Sequence, residues 1–259
     1  MPIERQTFLG LEFSRLSFEE VLEEISVRAD QTNFSYVVTP NVDHVVKLHD
    51  EADRPATKAF SDAYDCAALR LCDSRILARL AKPFGIRLPV VPGSDLTASL
   101  FSRVVSRGDL VAVVGGCSDM TARLLSKFPG VGFVQHVPPM GMLSNPAAMK
   151  AAEEFVATCH ARFILFATGA PQSEILAHCC FRRGEARGVG LCIGASIDFL
   201  LGDQRRAPKW VQRAGLEWAH RLATNPKRLW RRYLLEGPRI FLITALWWWE
   251  RRSKSKRGA

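Results

Sequence analysis

Residues 110–116 read Leu-Val-Ala-Val-Val-Gly-Gly. An unbroken apolar run with several β-branched side chains predicts a strand buried on both faces, which is the setting of a parallel sheet covered by helices. The two glycines that end it let the backbone turn sharply into a helix expected over Asp119–Lys127. The same grammar recurs along the chain. Arg162–Thr168 (RFILFAT) runs into Gly169-Ala170-Pro171 and a helix at Gln172–Cys180. Ser35–Thr39 (SYVVT) runs into Pro40-Asn41 and a helix at Val42–Glu51, and Ala68–Cys72 into Asp73 and a helix at Ser74–Phe84. Val131–His136 and Val189–Ile193 read as further strands, the latter ending at Gly194-Ala195. Ser17–Asp30, with a Ser start and early glutamates, and Ala147–Thr158 read as helices. Strands alternating with helices predict an α/β fold: a doubly wound parallel sheet with helices on both faces.

The chain has 259 residues and a net charge of +9, and the charge is unevenly placed. Residues 1–220 carry 24 Lys+Arg against 24 Asp+Glu, whereas residues 221–259 carry 11 against Glu236 and Glu250. A protein that coats nucleic acid uniformly is therefore excluded. After Gly202 the sequence turns helical and rich in Arg and Trp, so residues 1–204 are expected to form the α/β domain and 205–259 a helical, basic and aromatic appendage. Trp218, Trp230, Tyr233 and Trp247–Trp249 alternate with arginines there. That mixture suits a membrane interface, with rings at headgroup depth and cations on lipid phosphate; the competing reading is a solvated basic face over a packed aromatic helix. Nucleic acid would satisfy the charge but finds no motif. Ile240–Trp249 (IFLITALWWW) would rise only about 15 Å as a helix, half a bilayer core, so it cannot span alone. The N-terminal residues show no secretory signal, and the seven cysteines lack CxxC spacing. Free thiols in a reducing compartment are expected.

Ligands of such sheets bind at the carboxyl ends of the strands. Those ends carry Thr39, Asn41, Asp73, Gly115, Gly116, Gly169, Pro171 and Gly194, with Asp198 just beyond. Glycines and bare helix N-termini favour a phosphate-bearing ligand, although neither G-x-G-x-x-G nor a Walker loop is present. Asp73 fits either a general base or the N-cap of the following helix, and Asn41 has the same two readings. Asp43 and His44 are neighbours whose side chains diverge on a helix, so His44 is expected to be structural. No zinc-protease pattern, D-x-D pair or G-x-S-x-G elbow appears.

Between Gly202 and Tyr233 the chain carries Arg206-Ala207-Pro208-Lys209-Trp210, then Gly215-Leu216-Glu217-Trp218 with Arg221, then Pro226-Lys227-Arg228 with Arg231-Arg232-Tyr233. On these motifs, extended back through Gly190–Asp198, Gly169–Pro171 with Glu174, Gly115-Gly116, Asp73 and Thr39–Asn41, the chain resembles the WecG/TagA/CpsF glycosyltransferases, glycosyltransferase family 26. The resemblance implies a Rossmann-like fold of the GT-E type and an inverting, metal-independent enzyme with no cofactor. It implies transfer from a UDP-sugar to a polyprenyl-diphosphate-linked (undecaprenyl-diphosphate) sugar, by a peripheral protein on the cytoplasmic face of the inner membrane, through an anionic surface met by the C-terminal Arg, Lys and Trp. By the same resemblance Asp73 is the base, with Thr39 and Asn41 beside the sugar, and Arg221, Arg228 and Arg231 close over the diphosphate. Gly115, Gly116, Gly169, Pro171, Ser173, Gly194 and Asp198 fall to the nucleotide.

Three positions depart from the family's usual pattern. Ser74 follows Asp73 where a glycine is common, Ser173 stands where a glutamine is common, and Val90 stands where an arginine is common. These departures point to a UDP-hexose other than UDP-N-acetylmannosamine, in exopolysaccharide or capsule synthesis. The alternative is a non-catalytic or altered-specificity nucleotide-sugar-binding relative.

Overall fold

A computed structural model describes residues 3–50, 54–204 and 207–257. The chain opens with an antiparallel hairpin, β1 (Arg5–Phe8) and β2 (Leu11–Ser14). Six strands follow: β3 (Ser35–Val38), β4 (Leu69–Arg70), β5 (Leu110–Gly115), β6 (Gly132–His136), β7 (Phe163–Ala167) and β8 (Val189–Cys192). They form one parallel sheet in the order β4-β3-β8-β7-β5-β6. The helices between them are α1 (Phe18–Ala29), α2 (Val42–Leu48), α3 (Arg54–Asp65), α4 (Arg75–Ala81), α5 (Gly93–Arg103), α6 (Met120–Lys127), α7 (Pro146–Thr158) and α8 (Gln172–Arg183). After β8 come α9 (Ser196–Leu201), α10 (Lys209–Ala214), α11 (Glu217–Thr224) and α12 (Pro226–Trp230), then a π-helical turn (Arg231–Glu236) and α13 (Arg239–Arg257). This is the expected α/β, Rossmann-like arrangement.

The strands read as apolar throughout because both faces are covered. Along β5, Val111 and Val113 enter one core while Ala112 and Val114 enter the other; along β7, Phe163 and Leu165 part from Ile164 and Phe166 in the same way. This is the period-two alternation of a pleated strand sandwiched between two helix layers. The chain leaves β7 toward β8 on one side and β5 toward β6 on the other. The β5–β7 border is thus the topological switch point.

Several expectations change. The strand expected over 68–72 shortens to Leu69–Arg70, with an isolated bridge from Cys72 to Val90. The hairpin, α3 and α5 have no counterpart in the sequence reading. The hairpin covers the sheet edge, which is where an unpaired strand most needs protection. Ser14 Oγ accepts from the Arg70 amide at 3.1 Å, and the buried Arg70 guanidinium donates to Tyr64 O at 2.8 Å. The helix expected to reach Glu51 ends at Leu48; Glu51 lies outside the described residues, as do Arg205 and Arg206 at the expected start of the appendage.

α13 is anchored by one face. Ile240 and Thr244 are buried, and Trp247 packs edge-on at 5.3 Å from both Phe8 and Phe84. Its other side leaves Phe241, Leu242, Leu246, Trp248 and Trp249 exposed. Among the described residues no helix is long and apolar enough to cross a membrane.

Candidate active site

Asp73 sits where three strand-end segments meet. Its amide donates to Pro40 O at 3.0 Å, which fixes it against the end of β3. The Cys72–Val90 bridge brings Pro92 and Gly93 alongside, and Gly93, first residue of α5, donates its amide to Asp73 Oδ1 at 2.8 Å. Asn41 completes the setting. Its Oδ1 caps α2 by accepting from the amides of Asp43 (3.0 Å) and His44 (3.4 Å), and the same side chain helps to hold the Asp73 carboxyl down. The cap of α4 is Ser74, whose Oγ accepts from the Leu77 amide at 3.3 Å. Asp73 is therefore not the cap of its own helix, which the sequence left open.

Burial pushes the Asp73 carboxyl up to about 6, against the opposing pull of the Gly93 amide, the Arg221 charge and Asn41; Glu217 adds to the rise. Desolvation disfavours the ionised form, so the proton is held more tightly than in water. A carboxylate of that basicity, half-buried at the edge of a cavity, can accept a proton near neutral pH.

The cavity is about 360 Å³ and lies between the strand ends and the appendage. Asn41, Asp73, Glu217, Arg75, Arg221 and Arg232 are among its polar lining, and Trp218, Tyr233 and Phe241 supply much of its apolar wall. Trp218 and Tyr233 meet edge-on at 6.3 Å, so α11 and the π turn share one aromatic contact. Arg221 also stands 4.9 Å over the ring of Phe199, which ties it to α9.

The structure brings Asn41, Asp73 and Arg221 into this one cavity; the other expected residues are not among its described lining. Thr39 is buried behind Gly93, its Oγ1 donating to Cys192 O at 2.9 Å. Gly115-Gly116 and Gly169-Ala170-Pro171 lie side by side at the switch point, since Gly115 pairs with Ala167. A Cβ on Gly115 would come 2.9 Å from the Ala167 carbonyl carbon, which accounts for the glycine there. Ser173 is buried and turned to the sheet, bonded to Phe166 O (3.2 Å) and Thr168 Oγ1 (3.0 Å), not to the cavity. Gly194 leads into α9, where Asp198 accepts from Gln204 Nε2 at 3.1 Å. Arg231 is exposed, while its neighbour Arg232 lines the cavity. The Arg228 side chain lies outside the described residues.

Sequence reasoning missed Gly93, Glu217 and Arg232 as site residues. Gly93 acts through its backbone, for which side-chain chemistry gives no signal. Behind α2 lies a buried polar layer. His44 is structural, as expected: its Nδ1 lies 2.6 Å from Tyr64 Oη, and burial pushes the imidazole down to about 3, so it is neutral. Glu174 is buried as well, and burial pushes its carboxyl up to about 7. Among the described residues no three His, Cys, Asp or Glu side chains gather as metal ligands.

The family described as Glycosyl transferase WecG/TagA/CpsF matches residues 6–255, a span that takes in the sheet, the cavity and nearly all of α13.

Proposed function

Because this chain belongs to the WecG/TagA/CpsF family, glycosyltransferases of cell-surface polysaccharide synthesis that join a nucleotide-sugar donor to a sugar acceptor, we propose a narrower reaction for it. The chain moves a hexose from a UDP-sugar to a polyprenyl-diphosphate-linked sugar, with inversion, in exopolysaccharide or capsule synthesis. The observation that carries this is Asp73: a carboxylate with raised proton affinity, held by the Gly93 amide, sharing one cavity with Asn41 and Arg221.

The chemistry follows from those positions. Asp73 takes the proton of the acceptor hydroxyl as its oxygen attacks the anomeric carbon. The bond from that carbon to the phosphate oxygen breaks, and UDP departs with the electron pair. Attack from the face opposite the leaving group inverts the anomeric centre. Arg221 faces the growing negative charge, a duty the family resemblance extends to Arg228 and Arg231. Forked guanidinium donors match phosphate oxygens and stabilise the leaving group without a metal. The aromatic wall of Trp218 and Tyr233 suits the sugar ring.

A lipid-linked acceptor gives the outer face of α13 a purpose. Phe241, Leu242, Trp248 and Trp249 are exposed beside Arg251 and Arg252, which lie over Trp247 (4.7 Å) and Trp248 (4.4 Å). Aromatic rings flanked by cations favour the headgroup region of an anionic membrane. We therefore place the enzyme peripherally on the cytoplasmic face of the inner membrane.

The test is product formation from a panel of UDP-sugars and a synthetic lipid-diphosphate sugar, in chelator, with wild type and Asp73→Asn. Transfer from a UDP-hexose by wild type, lost in the variant, is expected. Equal turnover by Asp73→Asn would remove Asp73 as the base, and turnover of UDP-N-acetylmannosamine alone would remove the donor assignment.

A further inference from the structure

The appendage arginine that enters the cavity beside Arg221 is held there by a buried carboxylate. Asp43 lies in the first turn of α2, with its side chain only 8% exposed. Arg232 on the π turn reaches Asp43 Oδ2 at 3.2 Å, and Lys47 Nζ reaches the same oxygen at 2.9 Å. Lys47 also donates to Ala170 O at 3.0 Å. One buried oxygen thus joins the appendage and α2, and through Lys47 the Gly169-Ala170-Pro171 turn. Burial alone would raise the Asp43 carboxyl, but Arg232 and Lys47 outweigh it and hold it below the ordinary carboxylate range. The carboxylate stays ionised, and the pair stays charged.

Arg232 is not exhausted by this contact. A guanidinium has five N–H donors in a planar fork. The ion pair uses one terminal nitrogen, Nε is buried with no hydrogen-bond partner, and the side chain remains 37% exposed where it lines the cavity. Arg221 and Arg232 face one space from the appendage, with Arg75 lining it from α4, and such a set suits a ligand with several anionic oxygens. We propose that Arg232, together with Arg221, contacts a diphosphate in the cavity, and that Asp43 is the positioning residue that aims Arg232 into it. The inference rests on reading the cavity as the transfer site and adds two residues to it. The diphosphate belongs either to the nucleotide or to the lipid carrier, since both present the same oxygens.

Calorimetric titration of the full chain with UDP, and separately with farnesyl diphosphate, tests it. Arg232→Gln is expected to weaken one or both by about tenfold or more, the loss of a charge-assisted forked contact. Loss with UDP alone assigns the nucleotide, and loss with the prenyl diphosphate alone assigns the carrier. Arg232→Lys keeps the charge and the Asp43 pair but not the fork, and is expected to bind several-fold more weakly; it serves if the glutamine variant does not fold. Asp43→Asn should weaken the same ligand, yet add nothing in the Arg232→Gln background, a non-additivity that a purely structural role would not give. Arg239→Gln, which removes another appendage charge, should stay within about twofold, as expected of an exposed charge outside the site. Unchanged binding by Arg232→Gln and Arg232→Lys, or fully additive losses with Asp43→Asn, overturns the inference alone. Wild type that binds neither diphosphate overturns the transfer-site reading as well.

Discussion

The amide of Gly93 donates 2.8 Å to Oδ1 of Asp73, so the first N–H of α5 is spent on a carboxylate from another strand end. The bond opposes the burial that lifts this carboxyl to about 6, and it fixes one carboxylate oxygen. A base must be ionised to work, so kcat/KM should fall as pH drops through about 6. Asp73→Asn should lower turnover by about 10²–10⁴ with UDP affinity little changed. Stability should move the other way. A carboxyl bound more tightly to its proton in the folded state costs stability once ionised, above about 6, and costs nothing well below the ordinary 3.8. The variant should melt no lower than wild type at pH 8, with the difference closing toward pH 4. A variant that gains at acid pH instead would refute this account.

Glu174 carries the same sign more strongly. It is buried, its Oε2 has no hydrogen-bond partner, and its carboxyl is raised from 4.5 to about 7. Ionisation therefore costs stability that is absent below about 4.5 and complete above about 7. Glu174→Gln should stabilise at pH 8 by on the order of 3 kcal/mol, with little effect at pH 4.5. Melting temperatures across that range decide it.

The two glycine turns should respond unequally to alanine. Gly115 (φ +102°) would set its Cβ against the Ala167 backbone, whereas Gly169 (φ +79°) opens on free space. Gly169→Ala should cost about 1 kcal/mol of conformational strain, and Gly115→Ala about 3 kcal/mol because backbone must also move. Urea midpoints that fall together would contradict the distinction.

Trp247 and Trp249 separate packing from membrane contact. Trp247 is wedged between Phe8 and Phe84, while Trp249 is 66% exposed. Trp247→Ala should lose about 2–3 kcal/mol. Trp249→Ala should stay within about 0.5 kcal/mol but sediment less with anionic liposomes. Undiminished sedimentation of Trp249→Ala would count against α13 as the lipid-facing element.

The parallel sheet was legible because each long strand is apolar on both faces and ends in a turn residue, a signal that needs no tertiary knowledge. The hairpin was not. Its strands are four residues long, and its turn is Leu9-Gly10 with a fully buried leucine at φ 50°, unlike the polar turn pairs that announce hairpins. Helix α5 escaped because Pro92 precedes it without a side-chain cap and Gly93 opens it. Asp73 and Asn41 could be singled out from strand-end position. Choosing between Arg231 and Arg232 could not, because the π turn Arg231–Glu236 slips the helical phase on which spacing arguments depend. The buried layer of Asp43, His44 and Glu174 follows from packing of α2 against α3 and α8, which no local pattern encodes.

Asn41 carries two duties in one side chain: its oxygen caps the start of α2, and it lines the cavity beside Asp73 and lowers that carboxyl against burial. Asn and Asp are near equals as caps, so at most such positions they exchange freely. Here the exchange would set a second carboxylate beside the first in the same cavity and raise its proton affinity further. The cap position thus also sets the base: Asn41→Asp would keep the helix start yet move upward the pH at which Asp73 ionises.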